Sequence, residues 1–145
     1  MVGLAAGGVA LFFQRALVLA EDARIDLLGH LHATHPAWGW GVPMFIAGTC
    51  GAFVGWLTSR FAPEAGGSGI PHVKGVLMHV NTMPWARILP VKFLGGVLCI
   101  GSGFSMGREG PTVQMGAAVG KLVADILHVP AKAAPRLMAC GAGAG

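Results

Sequence analysis

Tyrosine is absent, and charge is scarce: Asp, Glu, Lys and Arg make up 11% of the chain, against about 25% in soluble domains. With 54% hydrophobic residues, that shortage argues against an ordinary soluble domain. The ten Lys and Arg are scattered and form no basic stripe with interleaved aromatics, so no nucleic-acid partner is expected. Only three cysteines occur, Cys50, Cys99 and Cys140, each in an apolar stretch and none in a CxxC pair. Neither a disulfide framework nor a zinc site is suggested. His30, His32 and His35 lie close in sequence but have no Cys or carboxylate at ligand spacing, so no metal is expected there. Met1–Phe13 has no basic stretch before it, which makes a cleavable signal peptide a poor reading.

Glycine, by contrast, is abundant: 24 of 145 residues, with no collagen period. Pairs at small-xxx-small spacing recur at Gly3/Gly7, Gly51/Gly55, Gly103/Gly107 and Gly116/Gly120. Such pairs let helices pack backbone to backbone in a bilayer. Two long apolar runs stand first, Val2–Ala20 and Trp38–Ser59. Each is about as long as the roughly 20 residues needed to cross the hydrocarbon. Between them Glu21–His35 reads as a loop or interfacial stretch. Trp38 and Trp40 fit an interfacial belt, and Arg60 closes the second run. After a glycine-rich loop over Ala62–Gly69, a short helix is expected from Ser68–Pro71 to about Val80. It is too short to span. Further helices are expected over Ile88–Gly107, from Gly110-Pro111 to about Leu127, and from Arg136 onward. The expected fold is all-α and polytopic, with about five full or partial helices and the start of a sixth. Both ends read as cuts through membrane helices.

Two segments share one design: Gly66-Gly67-Ser68-Gly69-Ile70-Pro71 and Gly107-Arg108-Glu109-Gly110-Pro111. Each sets a polar residue among glycines, with proline in the first helical turn, where its missing N–H costs nothing. The free N–H groups at such a start, together with the macrodipole, make an anion site. Within a bilayer, unpaired amides are tolerated where they face a cavity or ligand. Two such starts therefore point to an anion pathway. Ser68 has a second reading as a plain helix cap. For Glu109 that reading is weaker, because an ionisable group in so apolar a stretch usually marks a function. Its carboxylate occupies the place an anion would take, and so could act as a tethered competitor that leaves on protonation. No nucleophile–base set can be argued from spacing. The glycine loop lacks the Gly-Lys-[Ser/Thr] ending of a phosphate loop. The chain is thus expected not to be an enzyme and to need no cofactor. A soluble enzyme with a glycine-rich anion loop is the rival in another class.

Gly66–Leu77 and Leu89–Gly120 resemble the CLC chloride channel/transporter family. The shared strings are Gly-Ser-Gly-Ile-Pro at Gly67–Pro71 and Gly-Arg-Glu-Gly-Pro at Gly107–Pro111, supported by Arg60-Phe-Ala-Pro-Glu-Ala65, Pro90-Val-Lys-Phe93 and Thr112-Val-Gln-Met-Gly116. Ser68 and Glu109 stand 41 residues apart, and the combination is far more specific than either motif alone. The resemblance implies that residues 1–145 are the N-terminal part of a CLC-type transmembrane domain with broken, partly spanning helices. It implies chloride transport, as a voltage-gated channel or a chloride/proton antiporter, with chloride as substrate. Ser68 matches an anion-binding hydroxyl, and Gly69, Ile70 and Gly110 lie among the anion-facing backbone. Glu109 matches the gating, proton-accepting glutamate. Lys92 matches a buried lysine that makes the pathway positive, beside a second reading as a structural partner of carboxylates or carbonyls. Arg108 stands as an anion contact or a structural anchor. Serine at position 68 favours chloride over nitrate. A bacterial plasma membrane location, lipid and protons as partners, and a homodimer with its interface mostly outside these residues are likewise implied. His72 and Lys74 stand where some relatives carry carboxylates. The alternative is a truncated CLC-like piece that inserts without transporting alone.

Overall fold

A computed structural model describes residues 1–34, 41–130 and 132–145. The order is α1 (Val2–Thr34), α2 (Gly41–Phe61), a single 3-10 turn (Pro63–Ala65), α3 (Ile70–Leu77), α4 (Trp85–Gly101), α5 (Glu109–Ile126) and α6 (Ala134–Ala144). Among the described residues there is no strand. The all-α expectation holds, as do the short helix after the glycine loop and the starts near Gly110 and Arg136.

One element differs. Glu21–His35 was expected to leave the helix, yet α1 runs unbroken to Thr34 for 33 residues. The stretch is polar, but Glu, Ala, Arg and Leu are good helix formers, no proline interrupts them, and a single Gly29 costs only about 1 kcal/mol. At 1.5 Å per residue α1 is about 50 Å long, well beyond the roughly 30 Å of hydrocarbon. His35, Trp38 and Trp40, and with them the expected belt, lie outside the described residues.

Val2–Ala33 and Gly41–Phe61 are long and apolar enough to cross a membrane. The apolar surface of α2 is turned outward, as is part of that of α1, where Leu4, Leu11 and Phe12 are exposed. In α2 no residue is buried, and Met44, Phe45 and Trp56 are more than half exposed. The core lies instead among α3, α4, α5 and α6, where Val73, Val76, Ile88, Ala117, Ala118 and Met138 pack together. A second cluster joins Phe13 and Leu17 of α1 to Ile100 and Met115.

Glycine supplies the closest approaches. Gly116 and Gly141 meet backbone to backbone, and a β-carbon on either would overlap the other's carbonyl oxygen. Gly120 lies in the same way against the carbonyl of Leu137. The α5–α6 seam therefore bears out the Gly116/Gly120 spacing. The Gly103/Gly107 pair is not a helix seam: both residues lie in the connection before α5, where Gly103 has φ 106°. Gly7 and Gly55 have no neighbouring atom within 4 Å of a β-carbon position.

Charge is divided between the two ends of the helices. Trp85, at the start of α4, donates from Nε1 to Asp125, at the end of α5, at 3.0 Å. That end also carries Arg60, Arg87, Lys121, Lys132 and Arg136. The opposite end carries Glu21, Asp22, Asp26 and Glu109 with Arg24 and Arg108.

Candidate functional site: two helix starts in contact

The two glycine–proline segments, far apart in sequence, fold against each other. Gly110 lies on the backbone of Ser68 so closely that a β-carbon would overlap the Ser68 carbonyl oxygen. Only glycine fits. The first turns of α3 and α5 are thereby held side by side, with Pro71 in the first turn of α3 and Pro111 in that of α5. The leading N–H groups of each helix have no intrahelical acceptor.

The residue that caps the start of α3 is Gly69 rather than Ser68. Gly69 has φ 83°, a left-handed conformation that glycine adopts without steric cost. Ser68 stands one residue earlier and is exposed; its Oγ accepts from the Ile70 N–H at 3.4 Å, a long contact. The hydroxyl is therefore only weakly engaged in capping. At the other start, Glu109 is the first residue of α5 and is exposed. The Thr112 hydroxyl folds back onto the carbonyls of Glu109, at 2.9 Å, and Arg108, at 3.2 Å.

Lys92 links the site to its loop. It is 8% exposed, and Nζ donates to the carbonyls of Ala65 at 2.8 Å and Gly67 at 2.6 Å. These bonds turn the loop so that Ser68 and Gly69 reach α5. The carbonyl-pairing reading of Lys92 is thus observed directly, and its positive charge also lies within two residues of Ser68 along that loop. A cavity of about 470 Å³ adjoins this point, walled by Thr58, Gly66, Gly67, Lys92, Gly96 and Pro111 among others.

Arg108 is directed elsewhere. Its guanidinium pairs with Glu21 of α1, at 2.7 and 2.9 Å to the two carboxylate oxygens. The pair is half exposed, so its contribution to stability is small, about 0–1 kcal/mol. Its effect is to moor the start of α5 to the far half of α1. Of the expected site residues, Ser68, Gly69, Ile70, Gly110 and Lys92 are gathered at one place. Glu109 is at its edge, and Arg108 faces Glu21. His30 and His32 stand on α1, away from these elements.

Gln114 is a central residue that sequence reasoning assigned no role. It is fully buried. Its Nε2 donates to the Glu64 carbonyl at 2.9 Å and lies 3.3 Å from His72 Nδ1. The side chain also fills the space that a β-carbon on Gly69 would take. It therefore joins α5 to both flanks of the α3 start. Its sequence signal is its place four residues after Gly110, on the same helical face.

A family model described as "Voltage gated chloride channel" matches residues 50–145. Curated proteins named "H(+)/Cl(-) exchange transporter ClcA" are similar over the chain. The one from Vibrio cholerae is 43% identical over 148 residues, covering 100% of this chain and 31% of its own length. That from Cronobacter sakazakii is 43% identical over 147 residues, with the same coverages of 100% and 31%. That from Vibrio vulnificus is 44% identical over 134 residues, covering 89% of this chain and 27% of its own length. The chain thus spans about a third of the length of the curated relatives it matches. An X-ray structure described as a slow cyanobacterial Cl-/H+ antiporter superposes with a TM-score of 0.93 at 37% identity, covering 99% of this chain and 33% of that one.

Proposed function

The chain belongs to the voltage gated chloride channel family, and from that premise we propose that it forms one wall of a chloride pathway working by exchange of chloride for protons. The observation that carries this reading is the contact between Ser68 and Gly110, which holds two anion-favouring helix starts at one point. A chloride ion there would exchange its water for the leading N–H groups of α3 and α5 and the weakly engaged Ser68 hydroxyl. Each helix start adds about half a positive charge. Lys92 adds fixed charge to the loop leading to them. No cofactor is required, because the ion is bound and released without chemistry, and the chain acts in transport rather than as an enzyme.

Glu109 is the gate. Its carboxylate is attached to the α5 start and so competes with chloride at high effective concentration. A proton removes the charge and most of the attraction to the amides, and the side chain leaves. The exchange reading rests on the names of the relatives; a voltage-gated chloride channel is the second reading. The same names favour transport over a piece that inserts and does nothing. The bilayer is the medium, in a bacterial plasma membrane, with the homodimer contact mostly outside these residues.

The test uses a chimera in which this chain replaces the matching third of the Vibrio cholerae relative. Ser68→Pro in that chimera should shift reversal potentials from chloride toward nitrate. Unchanged reversal potentials would remove Ser68 from the pathway.

A further inference from the structure

At the Asp125 end of the molecule, α2 finishes and α4 begins side by side, with a groove of about 520 Å³ between them. Its floor and walls are apolar: Leu57 and Phe61 from α2, Pro90 and Leu94 from α4. Phe61 and Leu94 are about half exposed. Two guanidinium groups stand at its mouth, Arg60 in the last turn of α2 and Arg87 in the first turn of α4. Both residues are exposed, and among the described residues neither has a carboxylate within ion-pair distance. Arg60 has only the ring of Phe61, 6.0 Å from its guanidinium carbon.

A groove with an apolar body and a doubly cationic mouth fits an amphipathic occupant with an anionic head. Its place on the helices narrows the choice. Arg60 and Arg87 sit at the ends of apolar helices, while Leu57, Pro90 and Leu94 continue inward along the same helices. This is also the end where Lys and Arg outnumber acids among the described residues, with Lys121, Lys132 and Arg136 at the same end against Glu64 and Asp125. Excess Lys and Arg marks the cytoplasmic side, and basic pockets between helices on that side receive anionic lipid heads. We propose that the Arg60–Arg87 groove is a site for one anionic phospholipid, its phosphate held between the two guanidinium groups and one acyl chain laid along Leu57 and Leu94. Arginine suits the role because its planar fork meets phosphate oxygens in pairs.

The experiment is native mass spectrometry of the full chain released from detergent. It is supplied in turn with phosphatidylglycerol, with phosphatidylcholine of the same acyl chains, and with glycerol 3-phosphate. One phosphatidylglycerol should be retained with at least about tenfold preference over phosphatidylcholine, as two arginines at an anionic headgroup imply. Glycerol 3-phosphate should not be retained at equal concentration. Arg60→Gln with Arg87→Gln should erase the preference, and Arg60→Lys with Arg87→Lys should keep most of it, which separates lost charge from lost fold. Equal retention of the two lipids overturns the proposal. So does a preference that survives the double Gln variant, equal binding of glycerol 3-phosphate (a free-anion site), or a chain that pairs with a second copy and excludes both lipids.

Discussion

The Gly110 backbone rests on the carbonyl of Ser68, with no room for a β-carbon between them. This contact sets how far apart the two helix starts stand, and it makes one methyl group a sensitive probe. Gly110→Ala must push the loop at Ser68 away from α5. Overpacking of this kind costs about 1–3 kcal/mol. A lower Tm of the full chain in detergent is expected, together with weaker chloride binding by calorimetry. A variant that keeps the wild-type Tm and affinity would show that the contact is dispensable.

Lys92 holds the same loop from the other side. Lys92→Met leaves the Ala65 and Gly67 carbonyls without their donor, and a buried acceptor so orphaned costs about 1–3 kcal/mol. The loss should be local. Amide hydrogen exchange at Gly66, Gly67 and Gly69 should quicken by about tenfold or more, with α2 unchanged. Unaltered exchange in the loop would leave Lys92 only its electrostatic part.

Glu109→Gln mimics the protonated acid. In the chimera with the Vibrio cholerae relative, chloride flux should be kept or raised, its pH dependence should largely vanish, and coupled proton movement should stop. Persistence of the wild-type pH dependence would falsify the gate and reduce Glu109 to the first residue of a helix.

Two glycines drawn from small-xxx-small pairs should respond oppositely to alanine. Gly116 meets the Gly141 backbone, whereas Gly7 has open space around a β-carbon. Gly116→Ala should cost at least about 1–3 kcal/mol through overpacking. Gly7→Ala should be neutral or stabilise by about 0.5–1 kcal/mol, as in any open helix interior. Thermal unfolding of the two variants side by side reads the difference directly, and equal shifts would contradict the seam.

The helix starts were legible in the sequence because their signals are local. Proline, glycine and a polar residue within a few positions punctuate the chain wherever they fall, and α3 and α5 begin within a residue or two of the places those signals give. What joins the starts is not local. Gln114 reaches partners 50 and 42 residues away, at Glu64 and His72, and Arg108 meets Glu21 across 87 residues. No periodicity records such pairs, and a neutral glutamine in a helix of small residues carries no charge to draw notice. The far half of α1 departs from the sequence expectation for a different reason: its polarity suggests a break, whereas helix formation follows propensity and the absence of breakers. The surplus glycine indicated close packing but not which pairs make it. Of the four spaced pairs, Gly116/Gly120 forms a backbone seam at both its residues, and Gly103/Gly107 lies outside any helix.

The α5–α6 seam also bears on how fast the gate proposed at Glu109 would work. Where two backbones touch at Gly116 and Gly120, no intervening side chain can change rotamer to let one helix slide past the other. The first turn of α5 is pinned again by Ser68 and moored by the Glu21 pair. A helix fixed at three points along its length does not travel as a piston. The freedom left at its tip is torsion about the side-chain bonds of Glu109, a motion of picoseconds to nanoseconds rather than the microseconds to milliseconds of shifting helices. For the gate proposed at Glu109, arrival and departure of the proton, and not rearrangement of the scaffold, would then set the tempo of each opening.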